Sequence, residues 1–240
     1  MSLPQILAGT GLAAAGAAVL TAYATLGYTS QLFGPTLIAP PHPNQLALTF
    51  DDGPNPAATP QLLELLARHN VRATFFLIGD FVLREPALAR EVQAAGHAIG
   101  NHTMHHPFLP RLAAATIREE LSACNCALED TLGTKFSLFR PPHGARTPTV
   151  LRIARELGLQ TVQWNLIVGD WMPRSADDLS HRIESGIAAN RKHGRGTNLV
   201  LHDGSQHGLG ADRFATVQAV ARLLDRRSPD DSFVTPPQWL

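Results

Sequence analysis

The chain has 240 residues, enough for one good-sized hydrophobic core and most simply a single domain. Its 20 basic and 20 acidic residues balance, and no basic stripe points to nucleic acid as a partner. Its two cysteines, Cys124 and Cys126, are too few for a structural zinc site and too close on a helix for an unstrained disulfide. The function must therefore be inferred from motifs rather than from bulk composition.

The first 44 residues differ in composition from the rest. No Asp, Glu, Lys or Arg precedes Asp51, and residues 6–26 are a run of apolar, small and hydroxyl side chains about long enough to span a bilayer. Residues 22–24 fit an A-x-A cleavage pattern, so a retained anchor, a cleaved signal and a buried or disordered leader all stay open. Without flanking Lys or Arg, no membrane orientation can be inferred.

This composition divides the chain in two. Residues 27–44 are rich in Pro and Gly and predict a linker. We therefore expect a hydrophobic anchor or signal segment plus linker at 1–44 and a catalytic domain at 45–240. We also expect a membrane-anchored or exported protein of the cell envelope, with residues 1 to about 30 dispensable for catalysis.

From residue 45 onward, strand-like and helix-like segments alternate, which is typical of a mainly parallel α/β sheet. Helix-start signals occur at Thr59, Thr147 and Ser175, and a longer helix is predicted over about 113–132. Five apolar, strand-like runs lead to polar residues that are capable of chemistry, namely Asp51-Asp52, Asn101-His102, Arg140, Asp170 and His202-Asp203. An α/β barrel places its active site at the carboxyl ends of its strands, so we expect these groups to meet there.

Two adjacent carboxylates, Asp51 and Asp52, close the first of these strands. They repel each other unless a cation lies beside them, and a metal ion lets one act as ligand while the other stays free as a base. His102 and His106 supply matching ligands and would leave coordination positions open for water and substrate. Pro107 disfavours helical geometry at His106, so a helix and a tight turn both stay open.

The remaining candidates each allow a functional and a structural interpretation. Arg140 suits bidentate binding of a free carboxylate, or it is a surface residue before a rigid turn. Asp170 could orient a histidine, and Trp171 could stack on a sugar or simply pack in the core. His202 could act as a general acid near neutral pH, or it is a satisfied core histidine.

In their order and spacing, these segments resemble the motifs of the polysaccharide deacetylase family, the NodB-homology domain of carbohydrate esterase family 4. The similar segments are TFDDG at 49–53, HTMHH at 102–106, RPPHG at 140–144, DW at 170–171 and LVLH at 199–202. The resemblance covers about residues 45–235. It implies an α/β fold, a distorted (β/α) barrel of the NodB-homology type with usually fewer than eight strands, here preceded by the N-terminal hydrophobic segment.

The resemblance also implies roles for individual residues. Asp51 would be the general base, positioned by Arg140, and His202 the general acid, tuned by Asp170. The three ligands of one divalent metal ion would be Asp52, His102 and His106. Zinc suits two imidazoles and a carboxylate, and cobalt or manganese would also fit.

For the substrate site, the resemblance implies His143, Trp171 and Leu201. His143 stands where the family usually has Tyr or Phe, and the backbone N–H at this position would bind the oxyanion. The implied activity is metal-dependent removal of N-acetyl groups from an amino-sugar polymer such as peptidoglycan, a chitin-like chain or an exopolysaccharide, releasing acetate. The alternatives are a deformylase or other amide hydrolase on a lipid-linked sugar, or an inactive carbohydrate-binding relative. Expected partners are a carbohydrate polymer or oligosaccharide, and the membrane through the N-terminal segment.

Overall fold

The computed structural model describes residues 16–239, which contain eight α-helices and eight strands. The helices are α1 (16–26), α2 (Thr59–Arg68), α3 (Gly79–Arg84), α4 (Pro86–Ala94), α5 (Ala114–Leu132), α6 (Pro148–Glu156), α7 (Ala176–Lys192) and α8 (Phe214–Asp225). The strands are β1 (Gln45–Gly53), β2 (Thr74–Leu77), β3 (Ala98–Asn101), β4 (Leu138–Phe139), β5 (Gln160–Thr161), β6 (Leu166–Ile167), β7 (Thr197–His202) and β8 (Ser232–Phe233).

The strands pair in parallel in the order β5-β4-β3-β2-β1-β7-β6, with β8 beside the start of β1. No pairing joins β5 to β6 within residues 16–239, so the curved sheet is open there. The arrangement is a parallel-strand half-barrel with helices outside it, and the predicted distorted (β/α) barrel is confirmed. Because every strand runs in the same direction, the carboxyl ends of β1, β3, β4 and β7 lie at one rim.

The central strand β1 is buried along almost its whole length, and it pairs with β2 on one side and with β7 on the other. Phe50 on β1 stacks on Phe75 of β2 with ring centroids 5.0 Å apart. Helices α2, α7 and α8 bury their apolar faces in the same cluster. Burial on both faces explains why these strands are continuous apolar runs in the sequence, and it holds their ends firmly in place.

Two of the predicted helix starts are confirmed and one is wrong. The hydroxyl of Thr147 accepts a hydrogen bond from Val150 N at 3.3 Å, and that of Ser175 accepts from Asp178 N at 3.1 Å. Thr59 is the first residue of α2 rather than its cap, and its hydroxyl donates to the carboxylate of Asp203. The Thr59 hydroxyl therefore binds the buried carboxylate of Asp203, which is distant in sequence, and does not cap the helix as the local pattern predicted.

Residues of the predicted linker pack on the half-barrel. Leu37 forms a parallel bridge with Val162 at the β5 edge, where Leu37 N donates to Thr161 O at 2.9 Å and Gln163 N donates to Leu37 O at 2.7 Å. Arg146 N also donates to Thr25 O, at 3.0 Å. The division at residue 44 stays a prediction, but the chain on its N-terminal side contributes to the packed structure.

The predicted hydrophobic segment is only partly described, since residues 1–15 lie outside the described range. Its remainder forms α1, where Val19 and Leu20 are exposed and Ala24 is buried against the domain. Among residues 16–239, no helix combines the length and the apolar character needed to cross a membrane.

Candidate active site

The predicted catalytic residues meet at the carboxyl rim of the sheet. They surround an open cavity of about 400 Å³. Predicted site residues that line it are Asp51, Asp52, His102, His106, His143, Trp171 and His202. Five segments that are far apart in sequence are therefore brought to one place by the parallel topology.

Asp52 and two histidines form the innermost cluster of the cavity. Asp52 Oδ1 lies 3.4 Å from His102 Nε2 and 3.2 Å from His106 Nε2. One ligand atom from each residue can be chosen so that all three lie within 4.8 Å of one another. Asp52 Oδ1 is buried and makes no hydrogen bond of normal geometry with the residues at 16–239. Such a convergence of a carboxylate oxygen and two imidazole nitrogens fits a divalent cation such as zinc.

The electrostatics of Asp52 agree with this arrangement. Burial alone would raise the pKa of its carboxyl group, but the rings of His102 and His106 outweigh burial and hold that pKa well below its usual value. Asp52 is therefore ionised, as a ligand must be.

The segment that carries both histidines is a tight turn, which decides between the two alternatives left open by the sequence. Thr103 and His106 have left-handed φ angles of 67° and 59°, and His106 N donates to Thr103 Oγ1 at 3.0 Å. His102 Nδ1 lies 2.8 Å from Arg140 O. A proton on Nδ1 would satisfy that carbonyl and leave the Nε2 lone pair directed at the cluster.

Asp51 is held by the buried side chain of Arg140. Arg140 Nη1 donates to Asp51 Oδ1 at 2.8 Å and to Thr49 Oγ1 at 2.7 Å. The remaining guanidinium nitrogens donate to the carbonyls of Val162 and Gln163. Burial lowers the pKa of Arg140, and Asp51 opposes that shift. With Oδ1 bound to Arg140, Asp51 Oδ2 faces the cluster at 4.0 Å from His102 Nε2.

His202 also lines the cavity, and it is paired with Asp170. Asp170 Oδ1 lies 2.9 Å from His202 Nδ1, and Asp170 Oδ2 accepts from His202 N at 2.8 Å and from Thr216 Oγ1 at 3.0 Å. Burial lowers the pKa of His202, but the charge of Asp170 and its hydrogen bond outweigh burial and raise that pKa to about 9. His202 is therefore protonated at neutral pH, and its Nε2 is free of this pair.

Two of the three predicted substrate contacts line the cavity. The His143 ring lies 4.8 Å from that of His106, and the Trp171 ring lies 5.2 Å from that of His202. Burial, with help from the His106 ring, lowers the pKa of His143. Trp171 is 47% exposed, so its indole is available to a ligand.

The prediction that Leu201 contacts the substrate does not agree with its position. Its side chain is 0% exposed within the main core. Side chains alternate between the two faces of a strand, so Val200 and His202 line the cavity while Leu201 points away from it. Leu201 is therefore a core residue and not part of the cavity wall.

Asp203, which follows His202 at the end of β7, is fully buried and is not among the residues that line the cavity. Its carboxylate lies under the end of β1, where a Cβ on Gly53 would come within 2.2 Å of Asp203 Oδ2. Burial raises the pKa of Asp203 to about 7, opposed by the hydroxyl of Thr59. The sequence shows that Asp203 is next to His202. It does not show that Gly53 leaves space for the Asp203 carboxylate.

Comparison with known proteins decides the family. The polysaccharide deacetylase family model matches residues 39–162, more than half of the chain and the part that carries the first three motifs. The chain belongs to the polysaccharide deacetylase family. The resemblance inferred from the five motifs is confirmed, and this deacetylase is a hydrolase of the carbohydrate esterase family 4 type.

Curated relatives extend the match beyond the family model. A chitooligosaccharide deacetylase from Bradyrhizobium sp. is 36% identical over 184 residues, covering 74% of this deacetylase and 81% of the relative. A peptidoglycan-N-acetylglucosamine deacetylase from Bacillus cereus is 37% identical over 180 residues, covering 75% and 79% of the two chains.

Solved structures agree on the fold. The crystal structure of the Bc1960 peptidoglycan N-acetylglucosamine deacetylase superposes with a TM-score of 0.77 at 29% identity, covering 85% of this deacetylase and 92% of that chain. A carbohydrate esterase family 4 pseudoenzyme from Bacillus anthracis superposes with a TM-score of 0.71 at 25% identity, covering 86% and 69%. The fold is therefore shared by a deacetylase and by a pseudoenzyme, and activity has to be argued from the site.

Proposed function

We propose that this protein removes the acetyl group from N-acetylglucosamine residues of an oligosaccharide or polysaccharide, with one divalent metal ion. The observation that supports this most is the convergence of Asp52 with His102 and His106. A second carboxylate, Asp51, lies beside this cluster and is bound by Arg140. The chitooligosaccharide and peptidoglycan deacetylases among its relatives support the substrate class.

The cluster would supply the electrophilic part of the reaction. A cation held by Asp52, His102 and His106 would polarise the acetyl carbonyl and stabilise negative charge on its oxygen. We propose zinc because the donor set is two imidazoles and one carboxylate, although ligand type alone selects weakly among zinc, cobalt and manganese. The loop at 141–145 would add the backbone N–H of His143 as a second donor to that oxygen.

Asp51 would act as the general base. Its Oδ1 is engaged by Arg140, so Oδ2 is the atom that would take a proton from the attacking water. The fixed guanidinium also keeps Asp51 from rotating toward Asp52. The two adjacent acids can then do different work, one as a ligand and one as a base.

His202 would act as the general acid. Its Nδ1 is bound to Asp170, so Nε2 would deliver the proton to the leaving amine as the carbon–nitrogen bond breaks. A pKa of about 9 ensures that this proton is present at neutral pH. The site thus holds a base and an acid at the ends of two neighbouring strands, since Asp51 on β1 and His202 on β7 are register partners.

Two alternatives use the same scaffold. An inactive carbohydrate-binding protein is disfavoured because every charged position of the constellation is filled and paired. A deformylase on a lipid-linked sugar would use the same residues and differ in the group released.

The test is acetate release by the zinc-reconstituted full chain, measured on N-acetylglucosamine oligomers, peptidoglycan and a formylated amino sugar. We expect acetate from the first two, no formate, and loss of the reaction after chelation. Formate release alone would favour the deformylase. Glycan binding without release of either acid would favour the inactive protein.

We further propose that the N-terminal segment places the enzyme at the cell envelope. Support comes from the absence of charged side chains before Asp51 and from the exposed apolar residues Val19 and Leu20 on α1. Fractionation of cells making the full chain or a chain starting at residue 27, which lacks the whole hydrophobic run, tests this. An equal distribution of the two chains would contradict it.

A further inference from the structure

We propose that Leu26 and Tyr28 form one wall of the substrate site, and that Tyr28 binds a sugar ring next to the one that is deacetylated. The proposal deepens the function proposed above and rests on it. Both residues precede the domain predicted from the sequence, yet both line the same cavity as Asp51 and His202.

The ring of Tyr28 is fixed on one face and open elsewhere. It stacks on Trp164 with ring centroids 5.7 Å apart and an angle of 21° between the planes. Trp164 is buried and also lines the cavity, whereas Tyr28 is 36% exposed. An aromatic ring held in this way offers apolar surface and a hydroxyl to a ligand at small cost in side-chain entropy.

A buried arginine anchors the backbone around Tyr28. Arg146 Nη2 donates to Gly27 O at 2.8 Å and to Ser30 O at 2.6 Å, so the carbonyls on either side of Tyr28 are both bound. The backbone N–H of Arg146 binds Thr25 O near the end of α1. Gly27 O lies directly after the last residue of α1, at the negative end of the helix dipole, which suits the cationic side chain of Arg146. The described contacts of Arg146 include no carboxylate, so its charge is stabilised by backbone carbonyls.

The same arginine connects this wall to the catalytic loop. Arg146 Nη1 donates to Gly144 O at 3.0 Å, and Gly144 directly follows His143. Gly144 also packs under Trp164, where a Cβ would come within 2.6 Å of the indole ring. Tyr28, Trp164 and the loop at 141–145 therefore form one packed unit, and Tyr28 has a defined position relative to the reacting centre.

Two partly exposed aromatic rings now border the cavity on different segments, Tyr28 beside Trp164 and Trp171 beside His202. Sugar rings present apolar faces that pack on aromatic side chains, while their hydroxyls remain in water. A cavity with two such rings suits a chain of several sugars better than a single sugar. Leu26, 52% exposed, extends the apolar surface beside Tyr28.

The test uses the zinc-reconstituted full chain and N-acetylglucosamine oligomers of increasing length. The variants are Tyr28→Ala, Tyr28→Phe and Leu26→Ala, with Leu32→Ala as the matched control. Leu32 lies in the same segment, is 56% exposed, and is not among the residues that line the cavity. Thermal unfolding and zinc content show whether each variant keeps the native structure.

We expect Tyr28→Ala to lower kcat/KM by about tenfold on long oligomers and by no more than about twofold on the shortest one, since a tenfold change corresponds to one modest contact. The loss should lie in KM rather than kcat, because a remote sugar is bound equally in the ground and transition states. Tyr28→Phe should keep most of the length dependence, and Leu32→Ala should match the wild type. Equal losses on short and long oligomers, or no difference between Tyr28→Ala and Leu32→Ala, would overturn the proposal.

A binding measurement separates this proposal from the proposed function. Calorimetric titration of the longest oligomer into Asp51→Asn, with and without Tyr28→Ala, reports binding without turnover. Weaker binding in the double variant supports the wall even if the wild type releases no acetate. Identical binding overturns it, whatever the activity of the wild type.

Discussion

At the scale of single residues, the site depends on two neighbouring carboxylates that lie in different environments. Asp51 and Asp52 are adjacent in sequence, but one is bound to Arg140 and the other faces two histidines. Asp52 has a left-handed φ of 69°, which helps to aim its carboxylate away from that of its neighbour. The chemistry assigned to each acid follows from its partner rather than from its residue type.

Replacing Asp51 by Asn tests the base. The amide keeps the shape of the side chain but cannot take a proton from water, so kcat should fall by about two to four orders of magnitude. Zinc content should be unchanged because Asp51 is not in the cluster. Near wild-type turnover in this variant would contradict the assignment.

The pH dependence tests the acid. His202 has a pKa of about 9, so it is protonated below that pH and the rate should fall as pH rises through it. Burial lowers the pKa of His202, and in Asp170→Asn the main group that opposes burial is gone, so the pKa should fall although Asp52 and Asp51 still raise it. The alkaline limb of the pH–rate profile should therefore move to lower pH, with a reduced maximum. His202 would be excluded as the acid if His202→Ala were still active and the alkaline limb were unmoved in both this variant and Asp170→Asn.

At the scale of elements, strand ends were predictable and side-chain direction was not. The apolar runs indicated where β1, β3 and β7 end, and parallel pairing brought those ends together. A fully buried strand shows no alternation in its sequence, so nothing distinguished Leu201 in the core from Val200 at the cavity. Helix capping by Thr147 was local and visible, whereas the pairing of Thr59 with Asp203 joins residues far apart in the chain.

The contacts of the N-terminal segment were likewise not predictable from local sequence patterns. Its Pro and Gly content predicted a linker, and residues up to about 30 were expected to be dispensable. Arg146 binds carbonyls at Gly27 and Ser30, more than a hundred positions earlier, and no local pattern records such contacts. We now expect a chain beginning at residue 41 to be less stable and less active than one beginning at residue 16. Equal thermal stability and activity of the two chains would contradict the structural role of this segment.

Arg146 itself gives a sharper test of this element. Arg146→Ala would leave Ser30 O without its donor, would remove one of two donors from Gly27 O and from Gly144 O, and would empty a fully buried site. We expect a cost of about 2–4 kcal/mol. The temperature of unfolding should fall by roughly 5–10 °C for a chain of this size. Arg152→Ala is a matched control on the exposed face of α6, since its surface ion pair with Glu156 contributes little. An unchanged unfolding temperature in Arg146→Ala would contradict the anchoring role.

At the scale of the whole molecule, a parallel half-barrel supplies a rigid rim, and five separated segments supply its chemistry. The family, the fold and the charged constellation could be predicted because the motifs follow the ends of parallel strands, and parallel pairing brings those ends to one rim. The position of Leu26 and Tyr28 at the cavity could not, because it depends on contacts of their segment with Trp164 and Arg146, which lie more than a hundred residues away.

The central claim is that one metal ion at Asp52, His102 and His106 supports acetate release. The most direct measurement is the rate of acetate release from an N-acetylglucosamine oligomer as zinc is added back to the chelated full chain. We predict a rise that ends at one equivalent in the wild type and in the control His105→Ala, whose exposed ring binds Glu120 outside the cluster. The double variant His102→Ala, His106→Ala should bind no stoichiometric zinc and release no acetate. Wild-type rates in the chelated chain or in that double variant would contradict the account.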